Sequence, residues 1–157
     1  MLKVIYLLTG FCFIFGVVIF FQPQNSLAVC FFDIGQGDAI LIRTPDGQNI
    51  LIDGGPDKTI LSKLGQALPF YERTIDLMVL SHPHADHLIG LIPVLERYQV
   101  KRILTAGVVY NSQIYDEWLK HVNQEKAEII FSRAGQTFIF GAVKFFVLAP
   151  LKNYHGR

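Results

Sequence analysis

Residues 77–80 read Leu-Met-Val-Leu and run without a break into Ser-His-Pro-His-Ala-Asp-His at 81–87. Four apolar residues with no polar alternation suit a strand buried on both faces, as in the parallel sheets of α/β proteins. The end of such a strand delivers the next side chains into a crevice, and here they are three of the chain's five histidines and an aspartate within six residues. Pro83 stiffens the loop, so that imidazoles two positions apart can converge on one point. Imidazole nitrogen and carboxylate oxygen bind zinc at about 2.0–2.2 Å, which makes this a ligand set by residue type. The competing reading is a polar loop with coincidental histidines.

The flanking sequence supports a mixed α/β chain. Strands are expected at residues 27–32, 39–44 and 49–52, the last two joined by the turn Pro45-Asp46-Gly47. Ile60, Leu61, Leu64 and Leu68 have helical spacing over 59–68, and Pro69 stops that helix. A further helix is expected over 88–98, its regular part starting near Pro93 because proline suits a first turn. Residues 102–106 read as strand and 114–122 as helix, with Asn111 or Ser112 as its cap. Residues 128–131, 137–140 and 143–148 finish the chain as strands around Gly135 and Gly141.

The N-terminal part is of another kind. Residues 4–21 contain no charged side chain, and with Met1 and Leu2 they reach about the length that crosses a hydrocarbon core of roughly 30 Å. A membrane anchor and a cleaved signal segment both fit residues 1–22; the apolar run exceeds the usual signal core, and no small-x-small cleavage site follows it. With Lys3 held inside, a single-pass anchor would put the rest of the chain, after a linker at 23–27, outside the cytoplasm. This segment accounts for the positive mean hydropathy of +0.35. Setting Lys3 aside leaves 13 basic against 13 acidic residues, a balance that excludes a strongly basic nucleic-acid scaffold but not a local basic groove. Cys12 would lie in the bilayer and Cys30 in the first strand, so the two cysteines form no disulfide framework.

Phe-Asp-Ile-Gly-Gln-Gly-Asp at 32–38, Leu-Ile-Asp-Gly-Gly at 51–55, the histidine loop, and Val-Leu-Ala-Pro at 147–150 together resemble the metallo-β-lactamase superfamily. The first of these narrows the resemblance to the ComEC-like hydrolase domain of DNA-uptake (competence) proteins. The resemblance runs over residues 29–150 and implies an αββα sandwich, of which residues 28–157 would hold the first half and some strands of the second, after one transmembrane helix. It implies two divalent metal ions, zinc or manganese, with His82 and His84 on the first and Asp86 and His87 on the second. Asp53 would stand behind the histidine loop and orient it, although an Asp-Gly-Gly turn needs no metal to explain it. Asp86 could also hydrogen-bond the attacking water. Asp33 and Asp38 flank Gly35 and Gly37, where a structural hairpin and a substrate-contacting role both fit; the family places this loop at the edge of the active site, which keeps Asp38 as a candidate catalytic residue.

The implied activity is a membrane-anchored, metal-dependent hydrolase acting on phosphodiesters, DNA among them. Another ester, lactone or lactam hydrolase and a non-catalytic anchored module are the alternatives. The resemblance also implies further strands, a bridging aspartate and a late histidine beyond residue 157, so a C-terminal half or a dimer partner is expected to complete the site. Ile89 replaces the first of two glycines usual in the family, with Gly90 retained, and is expected to crowd the helix start beside the second metal. His121 reads as a surface or helix-end residue, His155 in the terminal tail as a coincidence rather than a further ligand, and Tyr110, Tyr115 and Trp118 as packing.

Overall fold

A meander opens the fold: β1 (Ala28–Phe31), β2 (Ile40–Arg43) and β3 (Asn49–Ile52) pair antiparallel in sequence order. The computed structural model describes residues 26–152, with Tyr6, Gly10 and Phe11 besides. The expected anchor over 1–22 and His155 therefore lie outside the described residues, those three positions excepted. No helix among the described residues is long and apolar enough to cross a membrane.

After β3 the chain changes to parallel crossovers. Helix α1 (Thr59–Ala67) leads through the two-residue strand β4 (Thr74–Ile75) to β5 (Leu77–Leu80), which lies beside β3. Two short helices, α2 (Ala85–Leu88) and α3 (Leu91–Arg97), then lead through β6 (Gln99–Val100) to β7 (Arg102–Thr105), beside β5. Helix α4 (Gln113–Gln124) returns the chain to β8 (Glu128–Phe131) on the far side of β7. The sheet order is β1-β2-β3-β5-β7-β8; β4 and β6 form a separate parallel pair, and β9 (Thr137–Phe140) with β10 (Val143–Phe146) forms a hairpin.

Period-2 alternation explains how this sheet is covered twice. Leu41, Leu51, Met78 and Ile103 face the helices, meeting Ile60 and Leu64 of α1, Val94 of α3 and Trp118 of α4. Their neighbours Ile50, Leu77 and Leu104 face the other way, onto Phe138 and Phe140 of the hairpin. Each fully buried side chain of this size contributes about 1.5–3 kcal/mol relative to exposure. The described residues thus comprise a helix layer, a sheet and the first hairpin laid over the sheet's second face, and that face still exposes Val29 and Phe31 along β1.

Two expectations change. The helix expected over 88–98 is interrupted around Gly90, whose N–H bonds outside the helix, and a Cβ there would run into the carbonyl oxygen of Gly54. Backbone docks on backbone instead: Gly54 N–H donates to His87 O at 2.8 Å and Gly90 N–H to Gly55 O at 3.0 Å. Pro93 falls in the first turn of α3, as expected. The strand expected over 143–148 ends at Phe146. For α4 the cap is Ser112, whose Oγ accepts from Tyr115 N–H at 3.2 Å.

Topology also decides where the motifs meet. Strands β1, β3, β5, β7 and β8 all run in one direction, since β1 and β3 are each antiparallel to β2 and the rest are parallel to β3. The loop after β1, the turn after β3 and the histidine loop after β5 therefore emerge at one edge of the sheet.

Candidate metal centre

Asp53, the first residue past β3, is the hub. It has a left-handed backbone, with φ of 58°, and its N–H donates to Val79 O of β5 at 2.9 Å. Aspartate tolerates that conformation better than most residues, at a cost of about 1–2 kcal/mol. Asp53 is 2% exposed, and its carboxylate takes three donors: Ser81 N–H on Oδ1 at 2.8 Å, and Ser81 Oγ–H at 2.5 Å and His87 Nδ1–H at 2.9 Å on Oδ2. A buried carboxylate without such donors would be costly, and a turn alone would not require them.

These bonds assign the protons on two imidazoles. A carboxylate only accepts, so His87 carries its proton on Nδ1, and the single Ser81 hydroxyl proton also points at Asp53. His82 Nδ1 lies 3.0 Å from Ser81 Oγ, whose proton is already used, so His82 is the donor in that pair. The order is His82 Nδ1–H to Ser81 Oγ–H to Asp53. Both rings are left with a bare Nε2, the tautomer that a metal takes. Partial burial, reinforced by the neighbouring charges of His87 and His84, holds His82 below its ordinary pKa against the pull of Asp53 and Asp86.

The remaining predicted residues gather around this pair. The His82 ring centre is 4.1 Å from that of His87 and 4.5 Å from that of His84, which in turn lies 5.7 Å from Tyr110. Asp86 Oδ1 stands 3.9 Å from His87 Nε2. For the Asp86 carboxyl, partial desolvation pushes the pKa up, but hydrogen bonds from its own backbone and from Gln36, with His87 and His84 nearby, outweigh it and hold the group below its ordinary value. Asp38 is at the rim: its side chain is 68% exposed and Oδ2 lies 4.0 Å from His87 Nδ1, on the ring edge that Asp53 occupies. Three imidazoles and a carboxylate form a donor set that suits zinc, and manganese less well because of its preference for oxygen. Among the described residues, no group of three or more such side chains is already spaced as a finished coordination shell; the rings lie against one another, and an ion between them has to part them.

Ile89 does not crowd this cluster. It lines a shallow surface hollow with Ile92, Pro93 and Ile114, on the helix side of the loop. His121 is likewise elsewhere, with Nε2 3.3 Å from Glu96 and Nδ1 2.9 Å from its own helix's Glu117 carbonyl. Two participants were not singled out by sequence reasoning. Ser81 is adjacent to the histidines and gave no signal beyond that, whereas Gln36 sits in the middle of the glycine loop and donates to Asp86 Oδ2 at 3.3 Å. Beside Ser81, between the sheet edge and the segment after β10, lies an open apolar hollow of about 440 Å³ lined by Val79, Leu104, Val147 and Pro150 among others.

No curated protein matches the chain. Among solved structures it is similar to Rm3 metallo-beta-lactamase, with 23% identity and a TM-score of 0.48 over 79% of this chain and 48% of that one, so the chain spans about half the length of that neighbour. The model of the metallo-beta-lactamase superfamily matches residues 32–132. That match takes in the glycine loop, the Asp53 turn and the histidine loop together, and the chain belongs to the metallo-beta-lactamase superfamily.

Proposed function

We propose that the chain carries the metal-binding part of a hydrolase centre that cleaves phosphodiesters, with DNA as one such substrate. The observation that carries the hydrolase reading is the convergence of His82, His84, Asp86 and His87 above buried Asp53, with His82 and His87 both presenting Nε2. In this reading His82 and His84 hold one divalent ion and Asp86 with His87 a second. Ions held there supply Lewis acidity and make hydroxide available at neutral pH. Asp53 and Ser81 keep the two rings in the right tautomer, the outer oxygen of Asp86 accepts a hydrogen bond from the attacking water, and Asp38 borders the substrate's approach. The choice of phosphodiester over lactam or lactone rests on the resemblance of residues 32–38 to the ComEC-like hydrolases. The same resemblance, with the uncharged stretch at 4–21, supports a membrane-anchored domain outside the cytoplasm.

The test compares the zinc- and manganese-loaded protein on bis-p-nitrophenyl phosphate, single-stranded DNA and a chromogenic lactam. Phosphodiester cleavage that is lost with chelator and in His84→Ala is the expected result. Cleavage of the lactam alone would refute the substrate class, and failure on all three substrates with metal bound would refute catalysis.

A further inference from the structure

Gln36 reaches Asp86 from a loop 50 residues earlier in the chain. The loop that carries it is fixed by its glycines. Gly37, with φ of +84°, lies so close to the main chain of Asp86 that a Cβ would run into the Asp86 carbonyl oxygen, and Gly35 at φ +80° makes the other bend. The Gln36 amide is therefore held over one oxygen of the Asp86 carboxylate, Oδ2. The other oxygen, Oδ1, faces His87 Nε2 at 3.9 Å, and that is the nitrogen left bare by the bond from His87 Nδ1 to Asp53.

We infer that Gln36 is a positioning residue for Asp86: its amide engages Oδ2 and turns Oδ1 alone toward the ion that Asp86 shares with His87. The inference rests on the metal-centre reading given above. Without the amide, the carboxylate is free to rotate about its terminal bond or to offer both oxygens. The glycine loop would then have a role in the inner geometry of the site as well as at its rim.

Titration of the 157-residue protein with zinc and with cobalt(II) tests this, using wild type, Gln36→Met, Gln36→Ala and His84→Ala. Methionine keeps the length of the side chain and removes the donor. Loss of an outer partner of a metal ligand typically weakens binding by about tenfold to a hundredfold, and that loss is expected in both Gln36 variants. Their cobalt spectra are expected to lose intensity in the visible, because a carboxylate binding through both oxygens raises the coordination number. Gln36 is an exposed side chain, so thermal midpoints equal to wild type are expected; if methionine disturbs the loop, alanine carries the same comparison. Wild-type affinity and an unchanged spectrum in both variants would overturn the role of Gln36 and leave the metal centre standing. Wild type binding no more tightly than His84→Ala would overturn the metal centre, and this inference with it.

Discussion

Replacing Asp53 with asparagine keeps the shape of the side chain and changes only what one end of it can accept. Three donors now meet that carboxylate, and an amide can face at most some of them with its oxygen. If the oxygen stays toward Ser81 N–H, the NH2 group meets His87 Nδ1–H and the Ser81 hydroxyl donor to donor. The hydroxyl of exposed Ser81 can rotate toward water. The His87 ring, which is buried, relieves its clash by moving its proton to Nε2 so that Nδ1 accepts from the amide. Hydrogen bonds to charged groups contribute about 1.5–3 kcal/mol each, and the exchanged bonds recover part of that, so Asp53→Asn should cost about 2 kcal/mol. Asp53→Ala orphans the His87 N–H and both Ser81 donors. Exposed Ser81 finds water, and the sum comes to about 3–4 kcal/mol, or a fall of about 10 °C in Tm for a chain of this length.

The two variants should therefore be ordered differently by two assays. Urea unfolding should rank alanine as the more damaged. Zinc competition should find asparagine at least tenfold weaker than wild type despite its milder fold defect, because a protonated Nε2 cannot ligate. Nitrogen-15 spectra of the histidine rings would report the tautomer directly. A His87 still protonated on Nδ1 in Asp53→Asn, together with wild-type zinc affinity, would refute the proton assignment on which this reasoning stands.

Ser81→Ala removes the middle of the His82-Ser81-Asp53 order; zinc affinity is expected to fall about tenfold with a stability loss of about 1 kcal/mol, and unchanged affinity in the competition assay would show that His82 needs no relay. Gly90→Ala forces a Cβ against the Gly54 carbonyl, and overpacking of this kind costs about 1–3 kcal/mol. Its urea midpoint should drop accordingly, and a midpoint equal to wild type would mean that α2 and α3 are not docked on the Asp53 turn.

Much of this arrangement is legible in the sequence, for identifiable reasons. Leu77–Leu80, Glu128–Phe131 and Thr137–Phe140 fall where short apolar runs are bracketed by turn residues, and their bounds agree with expectation. The strands β4 and β6 were not legible, because two residues carry no periodicity and Thr74–Ile75 exists as strand only by pairing with Gln99–Val100. The break in the 88–98 helix was hidden for a similar reason: glycine in a helical pattern is tolerated, and only the distant Gly54 makes its missing side chain decisive. In the site, the four candidate donors stood out because they are contiguous. Asp53 came through the resemblance, while Ser81 and Gln36 have ordinary surface chemistry that acquires meaning once three strand ends share an edge.

The candidate ligands are local in sequence, all within residues 82–87, and Ser81 adjoins them, whereas Gln36 and Asp53 arrive from after β1 and β3. A denatured chain keeps such a contiguous histidine cluster intact and so retains some affinity for zinc. Thermodynamic linkage counts only the difference in binding between folded and unfolded forms. The ion should therefore raise the melting temperature by less than its folded-state affinity implies: the shortfall measures the affinity that the unfolded cluster keeps, and the rise that remains measures what Asp53 and Gln36 add through the fold.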